Sequence, residues 1–236
     1  MSYTNSLYKF DIINEENYLQ YKQNVNSDNN SYQLEHHIGR LLSIKKSLEL
    51  CKILDGDFIE FGSWQGQSLY NTLNMMDKMN IEKKIVGIDC FEGIPVGYGH
   101  ENQKELMFND TSLKFCIENI KKYRNHHNKD IDKDVFVLKS FFNEKEKILS
   151  FLNENNFKKF SFVHLDCDVT KSCEEALDLL LDNNLVNETF ILHFDDWGIK
   201  TDIPEWYENY KQKKTELKCE ELYETNLTKT FKVYKL

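Results

Sequence analysis

The chain has no stretch rich in proline, glycine and serine long enough to act as a linker: its 236 residues hold 2 Pro and 9 Gly. One domain spanning 1–236 is therefore expected, with an N-terminal arm and helix (1–56) capping the site and a core over 57–236. Long apolar runs are also missing. The longest fall far below the roughly 20 residues of a membrane-spanning helix, so no membrane is expected as a partner. The opening residues, MSYTNSLYKFDIINEEN, contain neither a basic segment nor an apolar one, so no secretory signal is read there. Six cysteines (51, 90, 116, 167, 173 and 219) form no Cys-x-x-Cys pair. That spacing argues against a structural zinc or disulfide framework and for reduced thiols in the cytoplasm. Positive charge is short as well, with 30 Lys and Arg against 39 Asp and Glu and a net charge of −9. This balance excludes nucleic acid as the expected partner, although a small phosphorylated or nucleotide-linked substrate would need only one local cation.

What the chain does have is apolar material for a core, including 16 Phe and 12 Tyr, and one stretch that organises the rest. DFIEFGSWQGQSL, residues 57–69, reads as a buried strand (Phe58, Ile59, Phe61), an acidic and glycine-punctuated turn, and a helix. Gly62 permits a backbone turn at positive φ, and Gly66 lets the helix lie close to a strand or a ligand. Leu69, Leu73 and Met76 then recur at helical spacing and give that helix a face to bury.

Further strands are predicted at Lys84–Asp89, Val135–Leu138, Phe160–Leu165 and Thr189–Phe194. A helix from Leu34 to Cys51 precedes the first strand. Another follows Asp110 or Thr111 as its cap, and a third carries Cys173, Ala176, Leu177 and Leu180, with Ser172 and Glu175 as a capping box. Alternating strand and helix implies a parallel sheet covered on both faces. Leu217–Tyr223 and Thr230–Tyr234, joined by a short polar loop, are expected to close it as an antiparallel hairpin. The predicted class is thus α/β, with a seven-stranded sheet, mostly parallel. His36 and His37 read as solvated or capping side chains, and the pair in NHHNKDIDKD as part of an exposed connection.

Acids gather where these strands end. Glu60, Asp89, Asp166 with Asp168, and Asp195 with Asp196 all fall at or just beyond C-terminal strand ends, the edge where open parallel sheets bind ligands. So many carboxylates repel one another unless something cationic or donor-rich sits among them. Asp89, ending the second strand, suits ribose hydroxyls. Asp166, Asp195 and Asp196 form a hard-oxygen set suited to Mg²⁺, with no cysteine or histidine cluster beside it.

Three segments, IEFGSWQGQS, IDCFEGIP, and HLDCDVTKS followed by HFDDWG, together resemble class I S-adenosylmethionine-dependent methyltransferases. Within that class they are similar to the macrocin O-methyltransferase (TylF-type) group of metal-dependent enzymes. The likeness covers roughly residues 57–198 and implies a Rossmann-like core. It places Glu60, Gly62, Ser63, Trp64, Gly66 and Ser68 around the methionine part of S-adenosylmethionine, and Asp89 with Phe91 at the ribose. By the same resemblance Ser140 lies near the adenine, Asp166 borders the cofactor, and Asp166, Asp195 and Asp196 hold a metal. Two departures stand out: Thr170 replaces the usual Tyr two places after the second Asp of DxD, and Gln65 replaces an Arg in the first glycine turn.

Methyl transfer requires an acceptor oxygen aligned behind the sulfonium methyl, and a base helps. His193, Asp168 and His100 are the candidates, in that order. His164 and His193 lie in apolar strands, where a buried core histidine is an equal reading. The expected acceptor is a small-molecule hydroxyl on a sugar, natural product or glycan precursor, and a homodimer over the site is plausible at this size. A phosphorylated or nucleotide-linked acceptor, with or without metal, is the alternative. An NAD-dependent oxidoreductase would use the same edge, but the turn is Glu-x-Gly-x-x-x-Gly and lacks the dinucleotide Gly-x-Gly-x-x-Gly.

Overall fold

The computed structural model describes residues 13–23, 29–99, 104–126, 134–198, 201–225 and 227–236. In chain order the elements are α1 (Glu15–Gln23), α2 (Asn29–Cys51), β1 (Asp57–Phe61), α3 (Gln67–Met79), β2 (Ile85–Asp89), α4 (Leu113–His126) and β3 (Val135–Lys139). They continue with α5 (Lys145–Glu154), β4 (Phe160–Leu165), α6 (Thr170–Asp182), β5 (Val186–Phe194), α7 (Ile203–Lys213), β6 (Leu217–Glu224) and β7 (Lys229–Lys235). The strands form one seven-stranded sheet in the order β3-β2-β1-β4-β5-β7-β6. β1 to β5 pair in parallel, and β7 runs antiparallel to both β5 and β6. This is the α/β class that the alternation of strand and helix implied.

The two faces of the sheet follow from the period of two along each strand. Phe58, Phe162 and Ile191 pack with Ile38, Leu41 and Leu42 of α2, Leu69 and Leu73 of α3, and Cys116 and Ile120 of α4. Ile59, Phe61, Val163, Leu165, Leu192 and Phe194 point the other way, onto Ile148 and Leu152 of α5, Ala176 and Leu180 of α6, and Tyr207 of α7. Each fully buried Phe contributes about 1.5–3 kcal/mol of burial energy. Tyr207 sits 4.8 Å from Phe194 and 4.9 Å from Phe231, ring centre to ring centre. Tyr207, Tyr210 and Trp206 are therefore packing residues of this second face.

Three sequence readings change. β5 begins at Val186, three residues before the expected start at Thr189, because Asn187 and Glu188 interrupt the apolar run while Val186 pairs with Phe160 across an irregularity in register. The capping box at Ser172 and Glu175 is not formed: α6 starts at Thr170, after an extended Val169, so both residues lie inside the helix. The cap of α4 is Ser112, whose Oγ accepts the Phe115 N–H at 3.1 Å, and Asp110 and Thr111 have another task. The histidine pair of NHHNKDIDKD and most of the polar N-terminal arm lie outside the described residues.

Candidate functional site

Strand order reverses direction between β1 and β4, with β2 and β3 added on one side and β5 on the other. At such a switch point the loops leaving neighbouring strands part and leave a crevice. A cavity of about 580 Å³ opens there. Gly62, Ser63, Trp64, Ser68, Asp89, Ser140 and Asp166 line it, together with Asp168, Asp196, and His37 and Arg40 of α2.

The turn after β1 admits only glycine at its first corner. Gly62 has φ +89°, and a Cβ there would stand 1.7 Å from the Asp166 carbonyl oxygen. Its N–H donates to the Ile88 carbonyl at 2.9 Å, and the Asp166 N–H donates to the Phe61 carbonyl at 2.9 Å, so the ends of β2, β1 and β4 are tied together. Gly66 opens α3 at φ +80°, and a Cβ there would stand 2.9 Å from Cys116 Sγ.

Asp89 is held from both sides. Its Oδ2 accepts the Trp64 N–H at 2.8 Å and its Oδ1 the Phe91 N–H at 2.5 Å. Burial raises its pKa, and the backbone N–H groups of Phe91, Trp64 and Ser63 oppose that rise. Trp64 is pinned in turn: its indole N–H donates to Asp110 at 2.9 Å, and its carbonyl accepts from Thr111 Oγ1 at 2.9 Å. Glu60 stands behind the cavity wall, 1% exposed. It accepts from Ser68 Oγ at 2.9 Å and meets His164 Nδ1 at 3.0 Å, so it orients a wall residue from behind. Gly66 and Phe91 also lie behind the wall, whereas Ser140 is on it, its Oγ donating to Glu144 at 2.9 Å.

The acidic side is compact. One carboxylate oxygen from each of Asp166, Asp195 and Asp196 lies within 4.8 Å of the other two. Arg40 reaches in from α2, with Nη2 in contact with Asp195 Oδ2 and Nη1 4.0 Å from Asp166 Oδ2. This is the cation that the acids demand. Burial alone would lower the pKa of Arg40, but Asp195, Asp166, Asp196 and Glu60 outweigh it and raise it. Burial, then repulsion from Asp166, pushes Asp196 up to about 7 against the pull of Arg40. Asp195 and Asp168 also titrate well above the carboxylate range, burial being the main cause for each. With Oδ2 of Asp195 against Arg40, its buried Oδ1 has no hydrogen-bond partner among the described residues. Three converging carboxylates, one with an unpartnered oxygen, fit a hard divalent cation such as Mg²⁺.

The base candidates separate. Asp168 lines the cavity at φ +61°, with its N–H donating to Asp196 Oδ2 at 3.1 Å. His193 is fully buried behind the wall, its Nδ1 2.9 Å from Thr230 Oγ1 and 3.3 Å from Ser43 Oγ. Burial, then His164 and Arg40, lower its pKa well below the ordinary value. His100 lies outside the described residues. Arg40, and Tyr98, whose hydroxyl donates to Glu175 at 2.5 Å, line the cavity without having been singled out from the sequence, and His37, read as solvated or capping, lies inside α2 and lines it too. Burial, then Arg40, lowers the pKa of His37.

A family model described as macrocin-O-methyltransferase (TylF) matches residues 37–226. Among curated protein sequences none matches the chain. Among solved structures, the O-methyltransferase NovP superposes with a TM-score of 0.64 at 18% identity, over 84% of this chain and 79% of NovP. CalS11, a calicheamicin methyltransferase, gives 0.64 at 17% identity, over 91% and 89% of the two chains. An S-adenosylhomocysteine-bound methyltransferase of Podospora anserina, PaMTH1, gives 0.54 at 10% identity, over 94% and 86%. At these identities the solved structures show a shared fold, the Rossmann-like methyltransferase sheet. The family match spans most of the chain, including the glycine turn, Asp89 and every acid of the cluster. The chain therefore belongs to the TylF macrocin-O-methyltransferase family and is an S-adenosylmethionine-dependent methyltransferase.

Proposed function

We propose that this enzyme methylates a hydroxyl oxygen of a small molecule, a sugar or a natural-product or glycan precursor, with a Mg²⁺ ion held by Asp166, Asp195 and Asp196. The supporting observation is that one cavity is bordered by the Asp89 edge on one side and the acid cluster on the other. In this reading Gly62, Ser63, Trp64 and Ser68 form the wall against the methionine part of the cofactor. Asp89, fixed by two backbone N–H groups, keeps lone pairs for ribose hydroxyls. When bound, the sulfonium supplies an electrophilic methyl carbon and the metal lowers the pKa of a chelated hydroxyl.

The chain's own residues do the remainder. Asp168, on the cavity wall with its N–H donating to Asp196, is the residue placed to take the acceptor proton. Among the described residues, Arg40 and His37 are the basic side chains on the wall, set against five acidic ones, which favours an uncharged acceptor over a phosphorylated one. The six free thiols fit a reducing, cytoplasmic setting, and we read the chain as one domain. Titration calorimetry with S-adenosylhomocysteine, NAD and Mg²⁺ tests the whole proposal. Binding of S-adenosylhomocysteine and Mg²⁺ but not NAD is expected, and heat from NAD alone would overturn it.

A further inference from the structure

A row of polar side chains crosses the sheet beneath α2. Glu60 pairs in register with His164, His164 with His193, and His193 with Thr230, on four neighbouring strands. All four are at most 2% exposed. Asp195 follows two residues after His193, just past the end of β5, and is wholly buried too. The two imidazoles stand 4.9 Å apart, ring centre to ring centre.

Among the described residues each ring is engaged through Nδ1 only. His164 Nδ1 meets Glu60 Oε2 at 3.0 Å, and His193 Nδ1 meets the hydroxyls of Thr230 and Ser43. An Nδ1–H donated to those oxygens leaves Nε2 as a bare lone pair. Among the described residues both Nε2 atoms are buried with no hydrogen-bond partner, and Asp195, whose Oδ2 touches Arg40, has none on its buried Oδ1. One ligand atom each from His164, His193 and Asp195 lies within 4.8 Å of the others. Two imidazoles whose far nitrogens are fixed by a carboxylate and by hydroxyls, converging with a carboxylate, are the arrangement by which proteins orient metal ligands.

We infer that His164, His193 and Asp195 form a second, buried metal site that takes a transition divalent ion of the Zn²⁺ class. Its ligands differ from the oxygen-only set at the cavity, with which it shares Asp195. Imidazole donors favour zinc, cobalt or nickel, whereas Mg²⁺ prefers carboxylates and water. Ion–ligand distances of about 2.0–2.2 Å require only small side-chain movements from the present spacing. Entry is from the cavity, where Asp166, Asp196 and Arg40 border Asp195. Binding forms two N–metal bonds and one O–metal bond to neutral imidazoles and a carboxylate, with no redox step. The buried row then has an occupant for its unsatisfied atoms.

The test uses the full chain stripped with EDTA, given equimolar Zn²⁺ and dialysed against excess Mg²⁺. Zinc is expected to stay bound, with two imidazoles visible in its X-ray absorption fine structure. His164→Gln and His193→Gln are each expected to weaken retention by about tenfold or more. The site is ruled out by zinc that washes away under Mg²⁺, by bound zinc without imidazole scattering, or by variants that retain it as the parent does. Should a variant not fold, the absorption spectrum of the unaltered chain decides alone. Mg²⁺ calorimetry on the same samples separates this inference from the proposed catalytic ion, since zinc held by histidine while Mg²⁺ fails to bind would remove only the latter.

Discussion

At the scale of single residues, Arg40 carries the largest electrostatic burden. Its guanidinium touches a fully buried Asp195, so its removal leaves that carboxylate uncompensated in a dry site. Arg40→Met is expected to cost about 3–5 kcal/mol in EDTA, measured by urea unfolding. The same variant should bind Mg²⁺ more tightly than the parent, since a competing cation has gone; weaker binding would contradict the proposed ion position. Protonation gives a related prediction. Asp196 titrates at about 7, above its unfolded value, so its proton favours the folded state at low pH and that stability is lost as pH rises toward about 7. The metal-free chain should therefore lose melting temperature from about pH 4 to 7 through this group. The gain from added Mg²⁺ should grow over the same range, because bound ligands must be deprotonated. Differential scanning calorimetry with and without Mg²⁺ reads both trends.

At the scale of elements, the glycine turn is the joint between β1 and the loop leaving β4. Gly62→Ala would place a methyl group 1.7 Å from the Asp166 carbonyl oxygen, while Gly97, with φ +86°, has nothing within 4 Å of the same addition. Gly97→Ala should cost about 1 kcal/mol, the ordinary penalty of that conformation. Gly62→Ala should cost several-fold more or abolish folding, and equal melting temperatures for the two would refute this account. The turn, the seven strands and Asp89 were legible in the sequence because period, glycine spacing and terminal acids are local signals. α5 and α7 were not identified. Each buries only a few side chains, Ile148 and Leu152 in one and Ile203, Tyr207 and Tyr210 in the other, too few for a clear apolar stripe. The caps misled for a different reason. Asp110, Thr111, Ser172 and Glu175 have capping chemistry but are used by tertiary partners or the cavity.

At the scale of the whole molecule, the cavity joins two chemistries that lie far apart in the chain. Its acids could be read from strand ends, but Arg40 could not. A lone arginine on a helix gives no sign that it will meet residues about 150 positions later. His193 shows the same limit from the other direction. Its neighbour Asp195 made it look reactive, yet strand alternation turns it under α2 and away from the wall. Ligand binding couples these parts to global stability. S-adenosylhomocysteine at a hundredfold excess over its Kd should add about 2.7 kcal/mol, or about 5–10 °C in Tm. NAD at the same concentration should leave Tm unchanged.

The placement of Arg40 on α2 also bears on how the protein is made. The ribosome finishes this helix before it has polymerised any of the aspartates that Arg40 neutralises. The positive group is thus already in the emerging chain when Asp166, Asp195 and Asp196 follow, and the last of them need not enter the interior unescorted. A circular permutant beginning at Asp57, which delivers α2 last, should give a smaller soluble fraction when translated in a cell-free system than the natural order, and equal soluble fractions would contradict this.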